Sequence, residues 1–210
     1  MNESLLRFNK NQRYVVFDTE TEGLNLIKSR PWQIAWLVAE GDKIISRTDR
    51  FIHWPNLSVS KGAARVTGFS REEYEKKCRS PNVVWEEFSE ALFDERNIIV
   101  GQNLLGFDVY MLDVWRRLKG SPLNQDYISR IIDTKSLATA IAKNIPFTGG
   151  DFINWQYRLL NYRERGLKTS QAFLLKHYGI DHDPKRLHDA LYDVEMNFKI
   201  FKKQLFDLEL

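Results

Sequence analysis

The chain alternates short apolar runs with longer stretches in which apolar residues recur every three or four positions. Tyr14-Val15-Val16-Phe17, Ile34-Ala35-Trp36-Leu37-Val38 and Ile98-Ile99-Val100 are continuous apolar runs, the first wholly β-branched or aromatic, and each reads as one buried strand. Extended segments are predicted near 14–20, 32–39, 43–52, 97–101 and 129–132. Helical spacing predicts helices near 60–65, 71–78, 83–93, 107–118, 135–143, 169–178 and 189–204. In the last of these, Leu191, Val194, Phe198, Phe201 and Leu205 form one apolar stripe. Three early strands followed by alternating elements predict an α/β fold. A chain of 210 residues, 43% hydrophobic, can bury one good core but not two, so residues 1–210 are read as a single domain. Residues 1–12 form a polar lead-in whose apolar contacts are Leu5, Leu6 and Phe8.

Acidic residues gather where this pattern breaks. Asp18 and Glu20 end the first apolar run, just before the turn residue Gly23. Side chains two apart on a strand share a face, so both carboxylates point the same way and repel each other unless something compensates. Asp108 falls at the start of the 107–118 helix, Asp193 about one turn into the last helix, and His188 at that helix's mouth. A first-turn acid offsets the helix dipole by roughly 0.3 to 1 kcal/mol, and Asp189 is read in that way. The Asp18 and Glu20 pair resists such a reading, since neutral turn residues would end a strand equally well.

Taken together, Asp18-Thr19-Glu20 with Gly23, the run from Asn103 to Phe107-Asp108, and His188 with Asp193 resemble the three motifs of the DnaQ-like 3′→5′ exonucleases. The subgroup is the one with four acidic ligands and a histidine, DEDDh. The sister subgroup would place Tyr where Asp189 stands, and Tyr192 has the wrong offset. The segments Gln33 to Val38, Val66-Thr67-Gly68 and Ile132-Asp133-Thr134 agree, and the resemblance spans roughly residues 13–202.

The resemblance implies a ribonuclease-H-like fold, a mixed five-stranded sheet flanked by helices, and a metal-dependent nuclease that releases nucleoside monophosphates from a 3′ end. It implies two ions, Mg²⁺ or Mn²⁺, with Asp18 bridging both, Glu20 and Asp193 completing the nucleophile side, and Asp108 on the second. It makes His188 the general base, a role that suits a side chain titrating near neutral pH. It also implies that Thr19, Glu22, Gly23 and Leu24 line a nucleotide pocket. Asn103 and Phe107 would support the substrate strand, although Phe107 fits a core position equally well. Physical chemistry points the same way. An acidic pocket repels a polyanion unless divalent cations invert the field, and all-oxygen ligands favour Mg²⁺ or Mn²⁺ over zinc.

Single-stranded DNA is the favoured substrate, because Asp18-Thr19-Glu20-Thr21 with Gly23 looks like the proofreading members. An RNA or short-oligonucleotide exoribonuclease is the alternative. So is a catalytically silent, polymerase-associated binding module, which the presence of all five motif residues disfavours. The net charge of +3 is mild, but with four acids gathered in one pocket the remaining surface is more basic than the total. Residues 144–168 exceed what a minimal member needs and interleave Phe152, Trp155, Tyr157 and Tyr162 with Arg158, Arg163, Arg165 and Lys168. Trp155 and Arg158 are thus read as a substrate clamp, stacking bases and tracking phosphates, against the alternative of a packed insertion with Trp155, Leu159 and Leu160 on a helix face. Gln204 to Leu208 loosely resembles a clamp-binding peptide, so a sliding clamp and a DNA polymerase are candidate partners, with a core-packed helix end the favoured reading. The lone Cys78 excludes an internal disulfide framework, no apolar stretch approaches a membrane span, and Met1-Asn2-Glu3-Ser4 is no signal peptide. A reducing cytoplasm is expected.

Overall fold

A computed structural model describes residues 6–209; Leu5 and the segment 1–4 singled out above lie outside them. Five strands form one sheet: β1 (Arg13–Thr21), β2 (Pro31–Glu40), β3 (Lys43–Phe51), β4 (Asn97–Gly101) and β5 (Ile131–Asp133), in the order β3-β2-β1-β4-β5. β1 pairs antiparallel with β2, and β2 with β3, whereas β1–β4 and β4–β5 are parallel. This is the mixed five-stranded sheet expected. Among the described residues, eight α-helices surround it: α1 (Lys61–Thr67), α2 (Arg71–Lys77), α3 (Pro81–Phe93), α4 (Asp108–Leu118), α5 (Thr134–Lys143), α6 (Phe152–Leu160), α7 (Gln171–His177) and α8 (Ala190–Glu209).

Alternation along β1 sorts its side chains between two cores. Val15 and Phe17 enter one with Val84, Phe88 and Leu92 of α3 and Val109, Leu112 and Trp115 of α4. Tyr14 and Val16 enter the other with Val194, Phe198, Phe201 and Leu205 of α8 and Leu137 and Ala140 of α5. The α8 stripe is therefore the one read from spacing. Asp18 and Glu20 continue the face that meets α8, and Thr19 continues the face that meets α4.

β1 outruns β4. Their pairing stops at Val16 opposite Val100, and the register of β1 against β2 shifts between Glu20 and Thr21. The last residues of β1 thus stand clear of β4 and open a crevice at the carboxyl ends of the parallel strands, where ligands bind in open α/β sheets.

Two expectations change. The fifth strand is shorter than the predicted 129–132, because Asp126–Arg130 forms a 3-10 turn and only Ile131–Asp133 pairs with β4. The 144–168 segment contains a helix, α6, capped by Asp151, whose Oδ1 accepts the Ile153 and Asn154 N–H groups at 3.0 Å. Its apolar face packs inward. Trp155 is buried against Phe147 and Phe152 at ring distances of 5.5 and 5.6 Å, which removes it from the stacking role read from sequence. Arg158 stays exposed. α6 also supplies Gln156 to the outer edge of β5: its Oε1 accepts the Asp133 N–H at 2.7 Å and its Nε2 donates to the Ile131 carbonyl at 2.8 Å. One side chain takes the bonds a sixth strand would have made.

At the C-terminus, Gln204 is buried and donates to the Thr134 carbonyl, Leu205 is in the core, and Phe206 is exposed. The clamp-like peptide is the end of a packed helix. Among the described residues no helix is long and apolar enough to cross a membrane.

Candidate active site

Four acids converge on the crevice. One carboxylate oxygen each from Asp18, Glu20 and Asp193 lies within 4.8 Å of the other two. Asp108 approaches from α4 on the opposite side of β1. Its Oδ1 accepts the Thr19 backbone N–H at 3.1 Å and the Thr19 hydroxyl at 2.6 Å, so the freed edge of β1 is satisfied by a side chain rather than by β4. Thr19, expected in the nucleotide pocket, therefore also fixes Asp108.

Crowding of like charges out of water favours the protonated acids. Burial, and then the fields of Asp108, Glu20 and Asp193, raise Asp18 well above the usual carboxylate range. Burial with the Asp193 and Asp108 charges pushes Glu20 up to about 8. Asp108 rises to about 7 through burial, against the two bonds from Thr19. Asp193 rises to about 6, burial again outweighing the His188 N–H and the nearby imidazole. A set of hard oxygen donors that charge only at a cost fits divalent cations such as Mg²⁺ or Mn²⁺.

His188 lies just ahead of α8 with φ at +76° and its side chain exposed; its backbone N–H donates to Asp193 Oδ2 at 2.8 Å. Asp189, assigned to the helix start, accepts the Tyr192 N–H at 3.3 Å through Oδ1, while its charge adds to the field on Glu20.

The loop carrying Asp108 is organised by Asp133, which the sequence marked only as a weak agreeing feature. This buried carboxylate accepts N–H bonds from Asn103, Lys135 and Ser136 on Oδ1 and from Leu105 on Oδ2. Burial holds it at about 6 despite these donors. Asn103 adopts φ +65°, and its Oδ1 accepts Lys135 Nζ at 3.0 Å. A Cβ at Gly106 would lie 2.5 Å from that same Oδ1, so any larger residue there would displace the Asn103 side chain from Lys135. Replacing Asp133 by Asn would aim an NH₂ at an amide N–H. We expect a loss of about 1 to 3 kcal/mol in urea unfolding.

Beside the acids runs an apolar groove of about 420 Å³, lined by Thr19, Glu20, Gly23, Leu24 and Phe107 on one side and Ala63 and Val66 of α1 on the other. Leu24 is 85% exposed over it. Of the residues Thr19, Glu22, Gly23 and Leu24, three line this groove and Glu22 does not. Glu22 forms a bidentate pair with Arg30, at 2.8 Å to Nε and 2.6 Å to Nη2, and accepts the Ser58 N–H at 2.8 Å. With the Ser60 N–H bonded to its carbonyl, Glu22 fastens the segment leading into α1 to the end of β1. The α1 wall itself was not read from the sequence as part of a site. Trp155 and Arg158 line no part of this groove.

Comparison with known proteins places these features in a family. Residues 15–201 match the RNase_T family model, described as exonuclease. The chain is 30% identical over 186 residues to the PolC-type DNA polymerase III of Pediococcus pentosaceus, an alignment covering 89% of the chain and 11% of that protein. It is 31% identical over 125 residues to the PolC-type DNA polymerase III of Streptococcus sanguinis, covering 60% of the chain and 8% of that protein. The chain therefore spans about a tenth of these relatives' length. Among solved structures, E. coli Exonuclease I in complex with a dT13 oligonucleotide superposes with a TM-score of 0.73 at 18% identity, covering 93% of this chain and 43% of that one. The zinc-bound Exonuclease I–ssDNA complex gives 0.72 at 19% identity, covering 94% and 42%. The fold is ribonuclease-H-like.

Proposed function

The chain belongs to the RNase_T exonuclease family, and on that premise we propose that it is a divalent-cation-dependent exonuclease removing nucleoside monophosphates from the 3′ end of single-stranded DNA. The observation that carries this reading is the meeting of Asp18, Glu20 and Asp193 within 4.8 Å, with Asp108 across the strand, beside a groove sized for one nucleotide. Asp18, Glu20, Asp108 and Asp193 would hold two Mg²⁺ or Mn²⁺ ions, whose chemistry is to stabilise charge on the attacking and leaving oxygens of an in-line displacement at phosphorus. Leu24, Val66 and Phe107 seat the terminal base, and Gly23 lets the backbone approach the sugar. The exposed His188 takes a proton from the attacking water as its oxygen bonds to phosphorus. The bond to the 3′ oxygen breaks, and that oxygen leaves with a proton from solvent.

DNA is supported by the PolC-type relatives and by Exonuclease I, which was solved with single-stranded DNA. The same relatives support association with a DNA polymerase. A sliding-clamp contact would have to use Phe206, since Gln204 and Leu205 are buried.

The test is to incubate the protein with end-labelled single-stranded DNA, duplex DNA and RNA, with Mg²⁺, Mn²⁺ or chelator. We expect ladders that shorten from the 3′ end, only with metal and fastest on single-stranded DNA. Shortening from the 5′ end, or activity surviving chelation, would refute the reading. In the same assay His188→Ala should lower kcat by about 10² to 10⁴ while leaving metal dependence in place, as expected for a lost general base.

A further inference from the structure

Asp193 stands apart from the other acids in being gripped by a side chain from a separate helix. Gln171, the first residue of α7, donates from Nε2 to Asp193 Oδ1 at 2.9 Å and lies 3.3 Å from the Asp193 carbonyl oxygen. One amide thus straddles the backbone and the carboxylate of a single residue. The other carboxylate oxygen is held by the His188 N–H at 2.8 Å. A carboxylate offers about four lone-pair positions, so two donors fix its plane and leave about two positions free.

Gln171 is itself held. Ser170 caps α7 by accepting the Phe173 N–H, and the Thr169 carbonyl accepts Gln102 Nε2 at 2.7 Å. Gln102 Oε1 accepts the Thr134 hydroxyl at 2.7 Å, and that hydroxyl accepts Asn197 Nδ2 at 2.8 Å. Asn197 is buried one turn beyond Asp193 on α8. The polar contacts therefore close a circuit from the turn after β4, through the start of α7, to Asp193 and back along α8.

We propose that Gln171 is a positioning residue for the acidic cluster: its amide holds the Asp193 carboxylate with its free lone pairs turned toward Asp18 and Glu20, and so sets the cluster's affinity for a divalent cation. This rests on the metal-dependent reading above. A residue that merely anchored α7 would affect stability and leave cation affinity alone.

Gln171→Met keeps length and volume and removes the donor. Mn²⁺ binding is measured by titration calorimetry on the full chain, and hydrolysis is followed across Mn²⁺ concentrations. The variant should bind Mn²⁺ about 10- to 100-fold more weakly, with kcat at saturating Mn²⁺ within about threefold of the parent. Its Tm in chelator should match the parent's. Unchanged Mn²⁺ affinity, or a fall in Tm as the sole effect, overturns the assignment. Should Gln171→Met fail to fold, Gln171→Ser takes its place: weaker Mn²⁺ binding at an unchanged Tm supports the assignment, and unchanged Mn²⁺ affinity overturns it. If the parent hydrolyses with metal and the variant matches it, only the Gln171 assignment falls. If the parent neither binds Mn²⁺ nor hydrolyses, the nuclease reading falls and takes the assignment with it.

Discussion

Asp18→Ala is expected to abolish hydrolysis and at the same time to make the metal-free protein more stable. Asp18 sits at the centre of the cluster, with Asp108, Glu20 and Asp193 all acting on its charge. Removing it takes away one of the carboxylates that would hold the divalent cations. Metal stabilisation of a phosphoryl transition state amounts to several kcal/mol, so the rate should fall by about 10³ or more. In chelator the same change deletes a carboxylate that burial and like charges disfavour. Apparent Tm in chelator should rise, since the disfavoured charge is gone while the backbone pairing of β1 with β2 is kept. Both readouts matter. Undiminished nuclease activity would sink the assignment, whereas lost activity with a collapsed Tm would point to misfolding.

The second large effect is on stability against pH. Glu20, ordinarily near 4.5, sits at about 8 in the fold, Asp108 at about 7 and Asp193 at about 6, and Asp18 is raised well above its usual range. Below about pH 4 both folded and unfolded chains hold these protons, so the cluster contributes no pH dependence. Between about pH 4 and 8 the unfolded chain has released protons that the folded chain still binds. Raising pH through this window therefore lowers stability, by an amount on the order of several kcal/mol for the cluster as a whole. Asp94, drawn down to about 2 by the hydrogen bonds and charge of Arg96, acts with the opposite sign but only below pH 4, so it leaves the window untouched. Millimolar Mg²⁺ or Mn²⁺, if held by the ionised cluster as proposed, should restore the loss, most strongly at the alkaline end. Thermal unfolding from pH 5 to 9, with chelator and with Mn²⁺, checks this. A metal-free Tm that climbs across the interval, or a Mn²⁺ effect that is larger at pH 5 than at pH 9, would contradict it.

The strands of the central sheet were legible because burial on both faces leaves continuous apolar runs such as Tyr14 to Phe17, which no helix period explains. The acids were legible for the opposite reason, as charges set where the pattern expects turn residues. β5 was placed two residues early because Ser129 and Arg130, which lead into the apolar Ile131-Ile132 pair, close a 3-10 turn instead of extending, and the pairing with β4 runs on to Asp133. The clamp reading of Trp155 failed because an aromatic among arginines has the same composition whether its ring faces solvent or a core, and only helical phase separates the two. Gln171 and Asp133 left little signal. Their importance lies in which atoms they reach across 22 and 30 residues of chain, and neither residue type nor spacing encodes that.

The cap that Gln156 places on β5 has a consequence for assembly. With that border closed, the other lateral strand among the described residues is β3, which carries Lys43, Arg47, Asp49 and Arg50 along its length. Neither rim invites an intruding strand. Such a module can be spliced into a much longer polypeptide, as its kin in the polymerases are, with little danger of zippering onto its neighbours.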